Sequence, residues 1–367
     1  MNKRNPWLVI KPYLTVFDGA LALIIFLILA AGSVAVYSAG YDFAGRFEDH
    51  MRNILIAFVV MWVAAIIPPQ TLLRIAVPLY VAGVTLLVAV AMFGIIKKGA
   101  RRWIDLGVVV QPSELFKIAV PLMLAWFFQK REETRNWRDF SLAAILLLIP
   151  VVLIMRQPDL GTALLVFAAG FSVIFLAGLS WKVLATLFFG MLASMPIAWG
   201  LLHDYQRNRV MTLIDPTSDP LGKGFHIIQS TIAIGSGGLT GKGWLNGTQS
   251  HLEFIPERTT DFVFAVYSEE FGLLGNGILL LLYLALIARG LYISAHAPTL
   301  FTRLLAGALS LMFFTYAFVN MGMVSGILPV VGVPLPFMSY GGTAFVTLGL
   351  GVGILMSIQR HRKLIQT

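Results

Sequence analysis

Asp261 is the side chain of this sequence best placed to do chemistry. It ends a long polar segment, about residues 201–261, and precedes an apolar run that begins at Phe262. A carboxylate in this position can accept a proton from a hydroxyl group, as a general base does. If the apolar run crosses a membrane, Asp261 lies at the membrane surface, where it could act on a substrate that is part lipid and part polar. The alternative is that Asp261 caps the following helix, because Asp is a favoured N-cap residue.

Three further charged residues lie in or beside apolar runs. Glu114 and Lys117 are three residues apart, so they share a helix face and can pair. Charged groups inside a membrane span tend to line a cavity or a substrate route, and the alternative is a structural ion pair that holds two helices together. Asp159 follows a proline in a short turn, where it is expected to cap a helix. It also adds a carboxylate to the side of the membrane that carries Glu114 and Lys117.

A basic cluster at residues 97–102 contains Arg101 and Arg102. Arginine presents paired N–H donors to phosphate oxygens, which predicts a phosphate-binding rim. The alternative is an anchor in the lipid headgroup layer, with Trp103 in the interfacial belt.

Membrane helices are predicted to position these residues. The chain has 367 residues, of which 58% are hydrophobic and 12% are charged, about half the charged fraction of a soluble domain. Apolar runs of about 17–25 residues can each cross a bilayer as a helix. We predict an all-α polytopic membrane protein that forms a single domain over residues 1–367, with one large extracytoplasmic loop between helices 7 and 8. About ten spans are predicted, near residues 20–40, 52–68, 72–96, 113–129, 140–156, 160–179, 183–202, 262–288, 303–327 and 336–358.

Charge and composition narrow the function and the orientation. The sequence has no cysteine, which excludes disulfides and thiolate chemistry. A formal net charge of +9 in a membrane protein indicates cytoplasmic positive charge and attraction to anionic lipid, and no nucleic-acid signature is present. An even number of spans and a modest excess of Lys and Arg on one side predict cytoplasmic N- and C-termini, with the long loop outside.

Two other polar stretches have distinctive patterns. Residues 224–234 have apolar residues at helical spacing, which predicts a helix in the membrane interface, and the following stretch Gly235–Gly243 matches neither nucleotide-binding motif. The connection at residues 328–343 contains three prolines and the pair Ser339-Tyr340. Broken backbone at membrane depth is tolerated where it packs on protein or lines a cavity.

These residues belong to motifs that resemble the SEDS family (shape, elongation, division and sporulation) over essentially the whole chain. The loop motifs resemble the elongation and rod-shape branch more than the division branch. One departure is Thr259, where related sequences often have His. The matching motifs are RRWIDLG at 101–107, QPSE at 111–114, QPDLGT at 157–162, QSTIAIGSGG at 229–238, GKGW at 241–244, GTQS at 247–250, FIPE at 254–257, TDF at 260–262 and PFMSYGG at 336–342.

The resemblance implies a peptidoglycan glycosyltransferase in the cytoplasmic (inner) membrane, active in elongation and rod-shape maintenance. It would polymerise lipid II, a disaccharide-pentapeptide on undecaprenyl diphosphate, into β-1,4 glycan strands outside that membrane. Its implied partners are a class B penicillin-binding protein transpeptidase and other elongation-complex membrane proteins.

The family's catalytic carboxylate falls on Asp261. No cofactor is required by the sequence, and a Mg or Mn ion held by Asp159 or Glu114 could help to offset the diphosphate charge. The predicted substrate-binding residues are Arg101, Arg102, Gln111, Glu114, Lys117, Asp159, Glu257, Thr260, Ser339 and Tyr340.

Two other functions remain open at this point. A flippase for lipid II could use the same basic rim and ion pair to bind the headgroup, although no internal repeat of the kind common in transporters is found. A scaffold that only activates the transpeptidase would leave the loop chemistry unexplained, and it predicts that Asp261 is dispensable.

Overall fold

The computed structural model describes residues 16–97, 100–105, 109–133, 136–201, 204–218, 222–251, 255 and 257–362. Within these ranges, ten long helices coincide with the ten predicted spans, and the nearly all-helical membrane fold is confirmed. Seven of them are long and apolar enough to cross a membrane, and shorter apolar stretches, Leu160–Leu176 and Trp181–Ile197, lie in two of the others. The helices are α1 Gly19–Ala39, α2 Arg46–Ile66, α3 Pro69–Phe93, α4 Pro112–Lys130, α5 Trp137–Met155, α6 Leu160–Leu176, α7 Trp181–Leu201, α8 Asp204–Ile214, α9 Lys223–Ser236, α10 Thr248–His251, α11 Val263–Ala295, α12 Leu300–Val324 and α13 Gly342–Arg362.

The centre of the bundle is formed by α4, α12 and α13, which are buried along most of their length. Small residues allow α13 to approach α2 closely. A Cβ atom added to Gly349 would lie 2.6 Å from the carbonyl oxygen of Ala57, so only glycine permits this backbone contact. In contrast, nearly all described side chains of α7 are exposed, as expected for an apolar helix surrounded by hydrocarbon.

The polar segment that follows α7 contains helices of its own. The helix predicted over residues 224–234 is present as α9, Lys223–Ser236. The final predicted span, near 336–358, starts later than expected, because α13 begins at Gly342. The residues before it carry the prolines, which cannot supply the N–H groups of a helix interior.

A break in α11 at Gly272 explains the glycine-rich stretch. Gly272 has φ +62° and ψ −161°, so the helix loses backbone hydrogen bonds there. The stretch Gly235–Gly243 replaces them, and a Cβ atom on Gly241 would overlap the carbonyl of Glu270. These glycines therefore allow close backbone packing. The replacing bonds are Lys242 N to Glu269 O and Gly243 N to Glu270 O, both 3.0 Å, Leu273 N to Gly238 O, 2.9 Å, and Leu274 N to Leu239 O, 3.0 Å.

The described residues of the basic cluster, 97 and 100–102, lie in a small antiparallel sheet that the sequence analysis missed. Its strands are β1 Ile95–Lys97, β2 Ala100–Asp105 and β3 Val109–Val110, in the order β1-β2-β3. Successive side chains of a strand point to opposite faces. Arg101 and Arg102 in β2 are therefore directed to different sides of the sheet.

Candidate active site

The predicted functional residues gather at one end of the bundle. Arg102, between α3 and α4, donates from Nε to the carbonyl of Gln157, between α5 and α6, at 3.0 Å. The backbone N–H of Tyr340 donates to the carbonyl of Thr259 at 2.8 Å. Connections that are far apart in sequence therefore meet in two pairs.

Asp261 lies in a tight turn, residues 257–262, directly before α11. The carbonyl of Glu257 accepts hydrogen bonds from Thr260 N at 3.0 Å and Phe262 N at 3.3 Å. The N-cap residue of α11 is Phe262, with no side-chain capping bond. The alternative that Asp261 is the N-cap of this helix is therefore wrong, and the Asp261 side chain is half-buried.

Arg258 ties this turn to the α1–α2 connection. It is buried, its Nε donates to the carbonyl of Ala39 at 2.7 Å, and its guanidinium also pairs with the Asp42 carboxylate. A buried arginine needs such partners, because an unpaired charge in the interior is strongly unfavourable. Together with the Tyr340 bond to Thr259, this contact holds the turn from two sides.

Asn320 of α12 provides a third anchor. Its Nδ2 donates to the carbonyl of Asp261 at 2.9 Å and to the carbonyl of Val333 at 2.7 Å, and its side chain is buried. The sequence analysis did not select Asn320. The available signal was a polar side chain within an apolar span, which usually has a specific partner.

A backbone segment separates Asp261 from the start of α6. Asp261 Oδ2 lies 3.3 Å from the position that a Cβ atom on Gly332 would take, and a Cβ atom on Gly161 would lie 2.8 Å from the carbonyl of Val331. Asp159 caps the same end of α6. The structure therefore brings Asp159 and Asp261 to the two sides of one short segment.

Asp159 is the centre of a polar cluster. Its Oδ1 accepts from the N–H of Thr162 at 3.2 Å, which confirms the predicted N-cap. Gln111 Nε2 donates to Asp159 Oδ2 at 2.8 Å, and Arg102 Nη1 lies 3.9 Å from Asp159 Oδ1. The cluster places the Arg102 guanidinium group and the Asp159 carboxylate next to each other at this end of the bundle.

The predicted Glu114–Lys117 pair forms one turn deeper, with 2.5 Å between Lys117 Nζ and Glu114 Oε1. Lys117 is 2% exposed. Both residues belong to α4, so their ion pair does not itself join two helices, although Lys117 Nζ also lies 5.1 Å from the ring centre of Tyr316 in α12. A buried ion pair adds little stability, which favours a functional reason for this one.

Next to the pair lies a cavity of about 450 Å³ between α2, α3, α4 and α13. Gln111 and Glu114 line it, and most of the remaining lining is aliphatic, including Ile56, Leu86 and Leu350. A pocket of this size with a few polar groups at one side is typical of a ligand site. It suits a ligand that combines an apolar chain with a polar head.

Arg101 is not brought into the Asp159 cluster by any contact in the described part of the chain. Its Nη1 donates to the carbonyl of Ala91 at 3.3 Å, and its side chain is exposed. The alternation of β2 explains why its neighbour Arg102 reaches the cluster and Arg101 does not.

The remaining predicted site residues shape the backbone around Asp261. Thr260 Oγ1 donates to Glu257 Oε2 at 3.1 Å within the turn. Ser339 Oγ accepts from the N–H of Leu335 at 2.7 Å and closes a local turn. The Tyr340 ring lies 4.5 Å from the guanidinium carbon of Arg46, a cation–π contact. Among the described residues, no group of three or more His, Cys, Asp or Glu side chains converges to hold a metal ion.

The sequence of this chain matches the model of a known family. The model of the cell cycle protein family that includes FtsW, RodA and SpoVE matches residues 18–364. The chain belongs to this family, which confirms the resemblance that the motifs indicated.

Curated relatives extend over nearly the whole chain. Peptidoglycan glycosyltransferase MrdB of Escherichia coli strain K12 is 53% identical over 350 residues, covering 95% of each chain. Stage V sporulation protein E of Bacillus subtilis strain 168 is 34% identical and covers 94% of this chain and 98% of its own.

Solved structures share the fold. One is described as structural coordination of polymerization and crosslinking by a peptidoglycan synthase complex. Its matching chain is 36% identical with a TM-score of 0.82, and the match covers 94% of this chain and 98% of that one. The rod shape determining protein RodA of Thermus thermophilus is 30% identical with a TM-score of 0.71, covering 94% and 97% of the two chains.

Proposed function

We propose that this chain is a peptidoglycan glycosyltransferase that polymerises lipid II into β-1,4 glycan strands during cell elongation. The observation that carries the proposal is the anchored turn of Asp261, which faces the end of α6 where Asp159 and Arg102 meet. The enzyme class is that of the curated relatives at 53% identity.

In the proposed reaction, Asp261 accepts the proton of the 4-hydroxyl group of the acceptor sugar. The hydroxyl oxygen then forms a bond to C1 of the donor sugar, and the bond from C1 to the diphosphate oxygen breaks. Undecaprenyl diphosphate leaves with the electron pair. Arg102 and Lys117 offset its negative charge, which lowers the barrier because these charges are already in place.

The cavity between α2, α3, α4 and α13 is the proposed place for part of the prenyl chain. Gln111 and Glu114 at its polar side would meet the headgroup. Arg101 is assigned a lesser role at the rim, since it is exposed and bonds to Ala91. Glu257, Thr260, Ser339 and Tyr340 are proposed to hold the turn and the segment before α13 in shape.

The active site is proposed to face the outside of the cytoplasmic membrane, with both termini in the cytoplasm. A class B penicillin-binding protein is the proposed crosslinking partner, together with other membrane proteins of the elongation complex. Support comes from the solved relative described for coordination of polymerization and crosslinking.

A divalent cation is a further proposal. Asp159 and Glu114 could each contribute an oxygen, but each already faces a cationic side chain, Arg102 and Lys117 respectively. Mg or Mn would then supplement the charge that these side chains supply to the diphosphate.

The test is polymerisation of lipid II by the purified chain with its transpeptidase partner, comparing wild type with Asp261→Asn. Asn keeps the side-chain size and removes the base, and the backbone anchor from Asn320 ends on the carbonyl and is retained. We expect a loss of about 10²–10⁴-fold in rate, measured as glycan strand formation.

The matched control is Glu48→Gln, at an exposed acidic residue near the start of α2, which should keep the wild-type rate. Equal rates for wild type and Asp261→Asn would refute the assignment of the base. If neither chain forms polymer and lipid II still crosses vesicle membranes, the flippase function replaces the one proposed.

A further inference from the structure

Asn320 joins two segments of the site that are otherwise separate. One side-chain amide donates to the carbonyl of Asp261 in the turn before α11 and to the carbonyl of Val333 in the segment before α13, at 2.9 and 2.7 Å. We infer that Asn320 is a positioning residue that fixes the carboxylate of Asp261 relative to the α6 side of the site. This inference rests on the proposed function, because it gives Asp261 the role of base.

The segment that Asn320 holds has no regular structure. Residues 329–335 belong to no helix or strand, so their backbone groups depend on individual side chains or turns for hydrogen bonds. Within this segment, Gly332 has φ +73° and lies against Asp261 Oδ2. Movement of the segment would therefore change the space around the carboxylate directly.

The energetics favour a specific role over simple filling of space. Asn320 is fully buried, and its Oδ1 has no hydrogen-bond partner among the described residues. A buried polar atom without a partner is unfavourable, and an apolar side chain of similar size would avoid it. The benefit therefore has to come from the two donated bonds, which fix the relative position of two backbone segments.

The first experiment is Asn320→Ala in the full-length chain with its transpeptidase partner. Misplacement of a reacting group by about 1 Å can reduce a rate by about 10²-fold. We expect kcat for lipid II polymerisation to fall by about 10- to 100-fold, while KM changes by less than about twofold, because Arg102 and Lys117 remain in place. The matched control is Ser310→Ala, which removes a buried hydroxyl that donates to Ala306 within α12, and it should keep the wild-type kcat.

A double-mutant cycle with Asp261→Asn separates positioning from general stabilisation. If Asn320 acts through Asp261, adding Asn320→Ala to Asp261→Asn will not lower the residual rate further. A loss by the same factor in both backgrounds, or an unchanged kcat in the single variant, would overturn the inference. If Asn320→Ala does not fold, Asn320→Ser, which keeps one donor, is measured in the same cycle.

Failure of the proposed function is recognised separately. A wild-type rate for Asp261→Asn alone refutes Asp261 as the base, and with it the positioning role, without reference to any Asn320 variant.

Discussion

The Asp261 turn and the Asp159–Glu114 region hold their carboxylates in different ways. The turn is anchored at three points: its Thr259 and Asp261 carbonyls accept from Tyr340 N and Asn320 Nδ2, and its Arg258 side chain contacts Ala39 and Asp42. In the second region, the carboxylates themselves are engaged. Asp159 accepts from Gln111, and Glu114 pairs with Lys117.

This difference separates two tasks. Asp159 and Glu114 each face a cationic side chain, Arg102 and Lys117 respectively, so this region is suited to holding positive charge in place. The backbone anchors of the Asp261 turn fix where this half-buried carboxylate lies relative to the second region. The arrangement therefore supports Asp261 as the base and the second region as the diphosphate site.

The largest effect on stability is expected when one partner of the Glu114–Lys117 ion pair is removed. Lys117→Met leaves the Glu114 carboxylate without its cation in a buried position, and we expect it to lower the free energy of unfolding by about 3–5 kcal/mol. Thermal unfolding in detergent measures this loss. The double variant Glu114→Gln with Lys117→Met should recover most of the stability and stay inactive, and recovery of both would show that the pair is only structural.

A smaller effect is expected at the anchors of the turn. Arg258→Lys keeps the charge but loses the fork that contacts Ala39 and Asp42 together. Loss of this fork lets the turn of Asp261 shift, and misplacement of a reacting group by about 1 Å can reduce a rate by about 10²-fold. We therefore expect kcat to fall by about tenfold or more while KM for lipid II stays near wild type. A change confined to KM would contradict the prediction that Arg258 affects the rate by holding the turn that contains Asp261.

The smallest effect distinguishes the two neighbouring arginines. Arg102→Lys should reduce kcat/KM by about tenfold, because a charged hydrogen bond to the Asp159 region is weakened. Arg101→Lys, on the opposite face of β2, is its matched control and should change kcat/KM by less than about twofold. Equal losses would mean that both side chains reach the diphosphate. Initial rates at several lipid II concentrations provide the measurement.

Much of the fold could be predicted because its signals are local. Each predicted span coincides with a helix, since the length and hydropathy of a run depend on neighbouring residues alone. The three-residue spacing of Glu114 and Lys117 and the position of Asp159 after Pro158 likewise predicted a pair and a cap that the structure contains.

Predictions failed or were missing where the structure depends on distant parts of the chain. A helix cap at Asp261 was a reasonable alternative, because Asp is a favoured N-cap residue. In the structure, however, the N-cap residue of α11 is Phe262. The sequence analysis assigned no strand to residues 100–105, so it did not anticipate that Arg101 and Arg102 point to different faces of β2.

The sequence by itself therefore determined the membrane helices, the family and the identity of the charged residues. Only the tertiary structure decided which of them meet. Asn320 and Asp261 are 59 residues apart, and Arg102 and Gln157 are 55 apart. Such contacts arise from the packing of whole helices, and no local pattern of hydropathy or charge encodes them.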